Sequence, residues 1–168
     1  MTNIKVLSFN ILAENCVDFI NPAEYYPHIN PKELRIAYRL PRIVKKLKEH
    51  SADVVLLQEA TYEVRDKLVK LLPEYKFMPY TVNNLQDPKA EHWGQLTLLK
   101  KCVFSNIKHD IKYLNKSPTA FSITTCKLCP RDKVIIINMH LDAYDGKVRR
   151  AESTALLKWL APHMKDHL

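Results

Sequence analysis

Apolar runs of strand length alternate with helix-length amphipathic segments along the first half of the chain. Residues 4–12 and 53–59 are largely aliphatic, which is typical of strands that are buried on both faces. A polar connector rich in proline follows the first run and leads to a helix predicted over residues 31–50, in which Pro41 is expected to break or kink the chain. Thr61 is predicted to cap a further helix that follows the second run.

After Pro73 the pattern changes to one of successive strands and ends with a helix. The predicted strands cover residues 75–80, 95–100, 103–113, 120–128 and 133–141. A polar loop is predicted at 81–93, and a last helix over 147–161, ended by Pro162. This order predicts an α/β (α+β layered) fold in which helices flank a largely antiparallel sheet.

Length and composition limit the class of protein. A chain of 168 residues is one domain, or most of a larger one, and 46% hydrophobic residues are enough to build a sizeable core. No run is long enough to span a bilayer, and the chain enters its first strand too early for a secretory signal, so we expect a cytoplasmic or nuclear protein that is not secreted. With only two glycines, Gly94 and Gly146, the glycine-rich phosphate loops of nucleotide-binding proteins are excluded.

Charge and cysteine content refine this picture. The net charge of +8 modestly favours a polyanion such as nucleic acid over a neutral substrate, although a basic surface also simply aids solubility. The four cysteines are expected to be free thiols. Cys126 and Cys129 have the spacing of half a zinc site or a redox pair, but no second pair exists, so ordinary strand or turn cysteines are favoured.

Three of the apolar runs end on polar residues that suit a metal-bound phosphate. Glu59 ends a doubly buried run, where a carboxylate must be paired or bind a cation; alternatively it lies in solvent or supports the helix that follows. Asn10 could orient such a carboxylate or donate to a phosphate, or else bond to neighbouring backbone. His140 could donate to a phosphoryl oxygen or shuttle a proton, or be a structural hydrogen-bonding residue. The combination favours the functional interpretation.

The ordered set of these segments resembles the endonuclease/exonuclease/phosphatase superfamily, which includes deoxyribonuclease I, abasic-site endonucleases, deadenylases and inositol-polyphosphate 5-phosphatases. The matching segments are 8–12 (SFNIL), 52–59 (ADVVLLQE) and 138–142 (NMHLD). Segments 10–13 (NILA) and 38–43 (YRLPRI) are most similar to the deadenylase and nocturnin branch, and 149–152 (RRAE) is similar to an Arg-x-x-Gln motif with Glu in place of Gln.

The resemblance implies a role for each matching residue. Glu59 would be the main ligand of Mg²⁺, with Mn²⁺ as an alternative, and Asn10 would lie beside the metal and help to hold the phosphate. His140 would contact the scissile phosphate as a donor or acid–base group, and Arg149 and Arg150 would bind substrate. The implied reaction is hydrolysis of a phosphoester, as in a nuclease or phosphodiesterase.

Two further motifs of the superfamily, Gly-Asp-x-Asn and Ser-Asp-His, do not occur in residues 1–168. The resemblance therefore implies the N-terminal part of a four-layer α/β/β/α sandwich with mostly antiparallel strands, and we expect this part to contain only one of the two sheets. Three interpretations follow: a divalent-metal phosphodiesterase domain that is truncated or completed by a second chain, a non-catalytic remnant that binds nucleic acid or protein, and an unrelated basic α/β domain. We favour the first for ancestry, while the activity of these residues alone stays open. RNA or DNA is the favoured partner, with a phosphorylated small molecule or lipid as the alternative.

Overall fold

The computed structural model describes residues 3–19, 21–83, 93–114, 119–128 and 132–165. The strands are β1 (Val6–Asn10), β2 (Val54–Thr61), β3 (Tyr75–Phe77), β4 (Thr81–Val82), β5 (Trp93–Lys100), β6 (Phe104–Tyr113), β7 (Ala120–Leu128) and β8 (Asp132–Met139). The helices are α1 (Glu14–Phe19), α2 (Pro22–Tyr25), α3 (Pro31–Leu34), α4 (Ile36–His50), α5 (Tyr62–Leu71) and α6 (Gly146–Lys165).

The strands form two sheets. The large sheet has the order β1-β2-β5-β3, with β4 also paired to β5, and the small sheet has the order β6-β7-β8. The β1–β2 pair is parallel, with Phe9 opposite Leu57, and the other pairs are antiparallel. The predicted α/β class with mostly antiparallel strands is therefore confirmed, whereas the expectation of a single sheet is wrong. Strands β6 to β8 form a second layer because their inward residues cover the large sheet.

Three apolar clusters hold four layers together. Helices α4 and α5 cover one face of the large sheet through residues such as Leu47, Leu68 and Val55. The other face packs against the small sheet through a cluster that includes Val54, Leu99, Phe104, Cys126, Leu128 and Ile136. Helix α6 covers the outer face of the small sheet, where Leu156 contacts Phe121 and Ile123. Strand β2 places Val55 on the helix side and Val54 between the sheets, so its continuous aliphatic run is buried on both faces, as predicted.

Some predicted boundaries are wrong. The segment 31–50 does break, but at Arg35 rather than at Pro41, which lies inside α4. The break follows from the local chemistry, because Asn30 caps α3 through a bond from the Lys32 amide and Arg35 then takes an extended conformation. Likewise, α6 continues past Pro162. The cap at Thr61 is confirmed, since its hydroxyl accepts from the Val64 amide at 3.3 Å.

Cys126 lies buried in the cluster between the sheets, which supports its interpretation as an ordinary strand cysteine. Burial raises the pKa of its thiol. Cys129 lies outside the described residues, as do residues 84–92 of the predicted polar loop. Within the described part of the chain, no helix combines the length and apolar character that a membrane crossing requires.

Gly94 generates a prediction about how β4 joins the large sheet. A Cβ atom at Gly94 would lie only 1.8 Å from the carbonyl oxygen of Thr81, so β4 can pair with β5 only when this position has no side chain. We expect Gly94→Ala to destabilise the protein by about 1–3 kcal/mol, as overpacking commonly does, and to expose the β4 amides. Chemical denaturation and hydrogen exchange at residues 81–83 measure both effects.

Gly146→Ala is the matched control, because the nearest atom to a Cβ there is an Arg149 side-chain nitrogen at 3.6 Å. Equal destabilisation by the two substitutions would contradict the proposed contact.

Candidate active site

Glu59 lies where the pairing of β2 is interrupted. The register between β2 and β5 shifts between Gln58 and Ala60, and Glu59 itself has a φ of 57°. A positive φ is uncommon for a residue with a Cβ atom and costs on the order of 1–3 kcal/mol. Bulges of this kind re-aim a side chain, and here the bulge carries the carboxylate to a shallow position at the end of the sheet, where its side chain is 12% exposed.

Neighbouring groups fix both oxygens of the Glu59 carboxylate. Asn10 Nδ2 donates to Oε1 at 2.6 Å, and the Ala13 amide donates to Oε2 at 3.1 Å. His140 Nε2 lies 3.5 Å from Oε1. The structure therefore brings together Asn10, Glu59 and His140, the three strand-end residues that the sequence singled out.

Asn10 combines the two interpretations that the sequence left open. While its nitrogen holds Glu59, its Oδ1 accepts from the Leu12 amide at 2.9 Å. Leu12 has a φ of 56°, so this local bond accompanies a sharp change in chain direction directly after β1. The turn brings the Ala13 amide back to the same carboxylate.

His140 follows β8 and faces Glu59 from the other sheet. Its ring packs edge-to-face against Trp93, with centroids 5.3 Å apart and planes at 89°. The indole covers the imidazole on one side and limits its rotation, which leaves Nε2 directed at the carboxylate. Sequence reasoning missed this role of Trp93, since a lone aromatic residue before a glycine carries no distinctive pattern.

A buried amide pair aligns the two strands that carry Glu59 and His140. Asn138 is 1% exposed and lies on β8, and its Oδ1 accepts from Gln58 Nε2 at 2.8 Å. Its Nδ2 donates across the sandwich to the carbonyl oxygens of Leu57 at 3.2 Å and Leu96 at 3.0 Å. Asn138 therefore acts as a positioning residue. In the sequence, the indication of this role is that Asn138 is a polar residue within an aliphatic run.

The loop after His140 is tied to the start of α6. Glu152, which stands where the similar motif has Gln, accepts from the Asp142 amide at 2.9 Å, a contact that a glutamine oxygen could also make. Arg149 Nη1 donates to the Asp142 carbonyl at 2.9 Å. Arg150 is exposed on the surface of α6. Of the two predicted substrate-binding arginines, Arg149 thus has a structural partner in this loop, and Arg150 faces open space.

Helix α1 is held against α4 by charged contacts that also shape the site. Glu14 Oε2 accepts from the Ile36 amide at 2.5 Å, and Arg35 pairs with Asp18 at 2.6 Å. Arg39 donates to the carbonyl of Ile11, which anchors the end of β1 to α4. Arg39 thereby gives the segment 38–43 a structural role, because its bond to Ile11 fixes the turn whose Ala13 amide holds Glu59.

Cys16 of α1 also contacts the site, which the sequence did not indicate. Burial, the charge of Glu59 and a hydrogen bond to that carboxylate together raise the pKa of the Cys16 thiol to about 12. The thiol is therefore protonated at neutral pH and acts as a donor to Glu59. Only the fold reveals this contact, because the two residues lie on different elements.

The donor set fits a hard divalent cation. Mg²⁺ typically takes one or two carboxylates and completes its shell with water and substrate phosphate oxygens, and Glu59 offers one shallow carboxylate with the Asn10 amide beside it. Zinc needs three or four nitrogen, sulfur or carboxylate ligands, and the described residues contain no group of three or more His, Cys, Asp and Glu side chains placed to hold a metal.

Comparison with known proteins finds similarity in sequence to one protein and in fold to several solved structures. No family model matches the sequence. Protein angel homolog 2 of Danio rerio is 26% identical over 115 residues, which is 68% of this chain and 20% of that protein.

Solved structures are similar over most of the chain. An endonuclease/exonuclease/phosphatase from Bacteroides vulgatus superposes with a TM-score of 0.73 at 17% identity, over 94% of this chain and 60% of that one. ANGEL2, a 2′,3′-cyclic phosphatase, gives a TM-score of 0.69 at 21% identity, over 84% of this chain and 41% of that one. These likenesses confirm the expected fold. The chain spans about a fifth of the curated relative, and 60% and 41% of these two structures.

The Cys16 contact generates a prediction about thiol reactivity. Because alkylation requires the thiolate, we expect Cys16 to react with iodoacetamide far more slowly at pH 8 than the exposed Cys102. In Glu59→Gln the negative charge is removed, so the pKa of Cys16 should fall and its reaction should accelerate at every pH below that value. Mass spectrometry of the separate peptides measures both rates.

The Cys102 rate should not change in Glu59→Gln and serves as the internal control. A Cys16 rate that is equal in the wild type and Glu59→Gln would show that the carboxylate has no influence on the thiol.

Proposed function

We propose that the chain is a member of the endonuclease/exonuclease/phosphatase superfamily and that it supplies part of a divalent-metal-dependent site that hydrolyses phosphoesters of nucleic acid. Similarity of fold over most of the chain, together with the sequence match to angel homolog 2, supports this proposal over the interpretation as an unrelated α/β domain. The observation that carries the proposal is the Glu59 carboxylate, held by Asn10 and the Ala13 amide and faced by His140 across the two sheets.

In this proposal each residue has one task. Glu59 would hold Mg²⁺, or Mn²⁺, with Asn10 as a second oxygen ligand or a donor to the phosphate. A bound divalent cation neutralises charge that develops on the phosphoryl oxygens. Asn10 and the Ala13 amide keep both carboxylate oxygens oriented before the ion arrives, which lowers the cost of reorganisation. His140, constrained by Trp93, presents Nε2 as a donor or acid–base group for the phosphate.

Nucleic acid is the favoured substrate because of charge. A net charge of +8 attracts polyanions over long range, and this attraction would raise the rate of encounter. A phosphorylated small molecule or lipid is the alternative substrate. A site of this kind acting on RNA or DNA fits a protein of the cytoplasm or nucleus.

Residues 1–168 do not contain the Gly-Asp-x-Asn and Ser-Asp-His motifs of the superfamily. We propose that they form the N-terminal portion of the domain, and that further residues of the same polypeptide or a second chain contribute those groups. A second candidate is a non-catalytic remnant that binds nucleic acid or protein, for which the net charge of +8 is the supporting observation.

Metal binding can be tested without turnover. A ligand present at 100 times its Kd stabilises the native state by about 2.7 kcal/mol, which corresponds to a rise in Tm of roughly 5–10 °C for a protein of this size. We expect Mg²⁺ or Mn²⁺ to raise the Tm of the wild type by this amount and to have little effect on Glu59→Gln. Glu74→Gln removes an exposed carboxylate from the turn before β3 and should respond like the wild type. Equal stabilisation of all three proteins would place the metal elsewhere.

Cleavage of a fluorescent oligonucleotide in the presence of Mg²⁺ tests the catalytic role of His140. Loss of a positioned acid–base group typically costs about 10²–10⁴ in rate, so we expect His140→Ala to reduce cleavage by at least 100-fold. His50→Ala, at the exposed end of α4, is the matched histidine control. If the wild type binds the oligonucleotide and does not cleave it, the non-catalytic candidate is favoured.

A further inference from the structure

An exposed aromatic residue lies on the loop that joins His140 to α6. Tyr144 is 92% exposed, the largest value among the described large hydrophobic side chains. Its loop is held by hydrogen bonds, since Asp142 Oδ1 accepts from the amides of Tyr144 at 2.9 Å and Asp145 at 2.6 Å. These bonds lower the pKa of the Asp142 carboxyl, so the acceptor remains ionised at neutral pH. The phenol ring is therefore presented to solvent by a backbone that has little freedom.

A basic track lies on the exposed face of α6. Lys147, Arg150 and Lys158 are exposed, and they share this face of the helix with Ala151 and Thr154. Lys147 and Lys158 are 11 residues apart, which is about 16 Å at 1.5 Å per residue. Asp145 is the single carboxylate beside them, and that group already accepts from the Lys147 amide at 2.7 Å. The track therefore carries an excess of positive charge.

The track is joined to the candidate site through the loop after His140. Glu152 and Arg149 both bind the backbone of Asp142, so the first turns of α6 and the loop that carries Tyr144 are held together. Tyr144 lies four positions after His140 in the sequence. The loop therefore connects the exposed face of α6 to the strand end that carries His140.

We propose that this surface, formed by Tyr144, Lys147, Arg150 and Lys158, binds single-stranded nucleic acid. An unpaired base stacks on Tyr144 and the backbone phosphates lie along the three cations of α6. Proteins that bind single strands without sequence preference combine aromatic side chains, on which bases stack, with positive charge along the path of the backbone. A duplex is excluded from this mode because its bases are stacked on one another and cannot reach the ring. This binding does not rest on the proposed function.

Fluorescence anisotropy with a labelled twelve-residue oligothymidylate tests the stacking contact. The measurement is made in EDTA, so that binding is separated from metal occupancy and cleavage. Stacking of a base on an aromatic side chain contributes about 1–3 kcal/mol, so Tyr144→Ala should weaken binding by about 5- to 150-fold. Tyr144→Phe should bind like the wild type, and so should Tyr25→Ala, which removes a tyrosine that is 62% exposed on α2.

The salt dependence of the same binding tests the cationic track. Each phosphate contact on a single strand contributes about −0.7 to the slope of log K against log salt. The triple variant Lys147→Gln, Arg150→Gln, Lys158→Gln should therefore reduce the slope by about 2.

A second triple variant, Lys45→Gln, Lys46→Gln, Lys48→Gln, removes equal charge from α4 and is the matched control. Its slope should stay within experimental error of the wild type. Thermal melting establishes that each variant is folded.

Three results would overturn the proposal: unchanged affinity in Tyr144→Ala, equal loss of slope in the two triple variants, or equal affinity for a hairpin duplex. Glu59→Gln is expected to bind the oligothymidylate as the wild type does. Oligothymidylate binding that is weakened in Tyr144→Ala and kept in Glu59→Gln would support this surface. That conclusion would hold even if no metal-dependent cleavage were found.

Discussion

The side-chain amide of Asn138 connects the two sheets at the level of the candidate site. Its nitrogen donates to carbonyl oxygens on β2 and β5, and its oxygen accepts from Gln58. Apolar contacts between sheets are non-directional, whereas a buried amide that loses its partners costs about 1–3 kcal/mol per group. Asn138 thus favours one alignment of β8 on β2. Glu59 follows Gln58 and His140 lies two positions after Asn138, so this alignment also fixes the distance between carboxylate and imidazole.

The candidate site combines a strained backbone at Glu59 with a carboxylate whose two oxygens both accept hydrogen bonds. The positive φ of Glu59 costs free energy, and the donors on Asn10, Ala13 and Cys16 recover part of it because each bonds to the carboxylate. The site is consequently preorganised, since both oxygens have defined positions in the free protein. Such an arrangement is expected where a carboxylate has to receive a cation without rearrangement.

Hydrophobic periodicity predicted the elements that carry the site, but not the way they meet. The aliphatic runs before Asn10, Glu59 and His140 form strands as expected, because burial on both faces leaves an unmistakable pattern. The second sheet was not foreseen, since the pattern of β6 to β8 shows that one face is buried but not what covers it. The break predicted at Pro41 was wrong, because Pro41 lies inside α4. The chain breaks at Arg35 instead, which is extended and follows the short helix capped by Asn30. Long-range contacts such as Cys16 with Glu59 and Trp93 with His140 leave no local signal.

Strand β1 has a hydrogen-bonded neighbour on one side only among the described residues, namely β2. Its face towards the small sheet is also poorly covered, for Val6 is 58% exposed and Ser8 and Asn10 are exposed. Edge strands of this kind open locally at a lower free energy than central strands. Asn10 therefore holds the carboxylate from the least protected strand of the sheet. Any polypeptide segment that paired with the free edge of β1 would slow this local opening and lengthen the time that Glu59 spends in its oriented state. Strand addition at a sheet edge would in this way regulate the site without touching it.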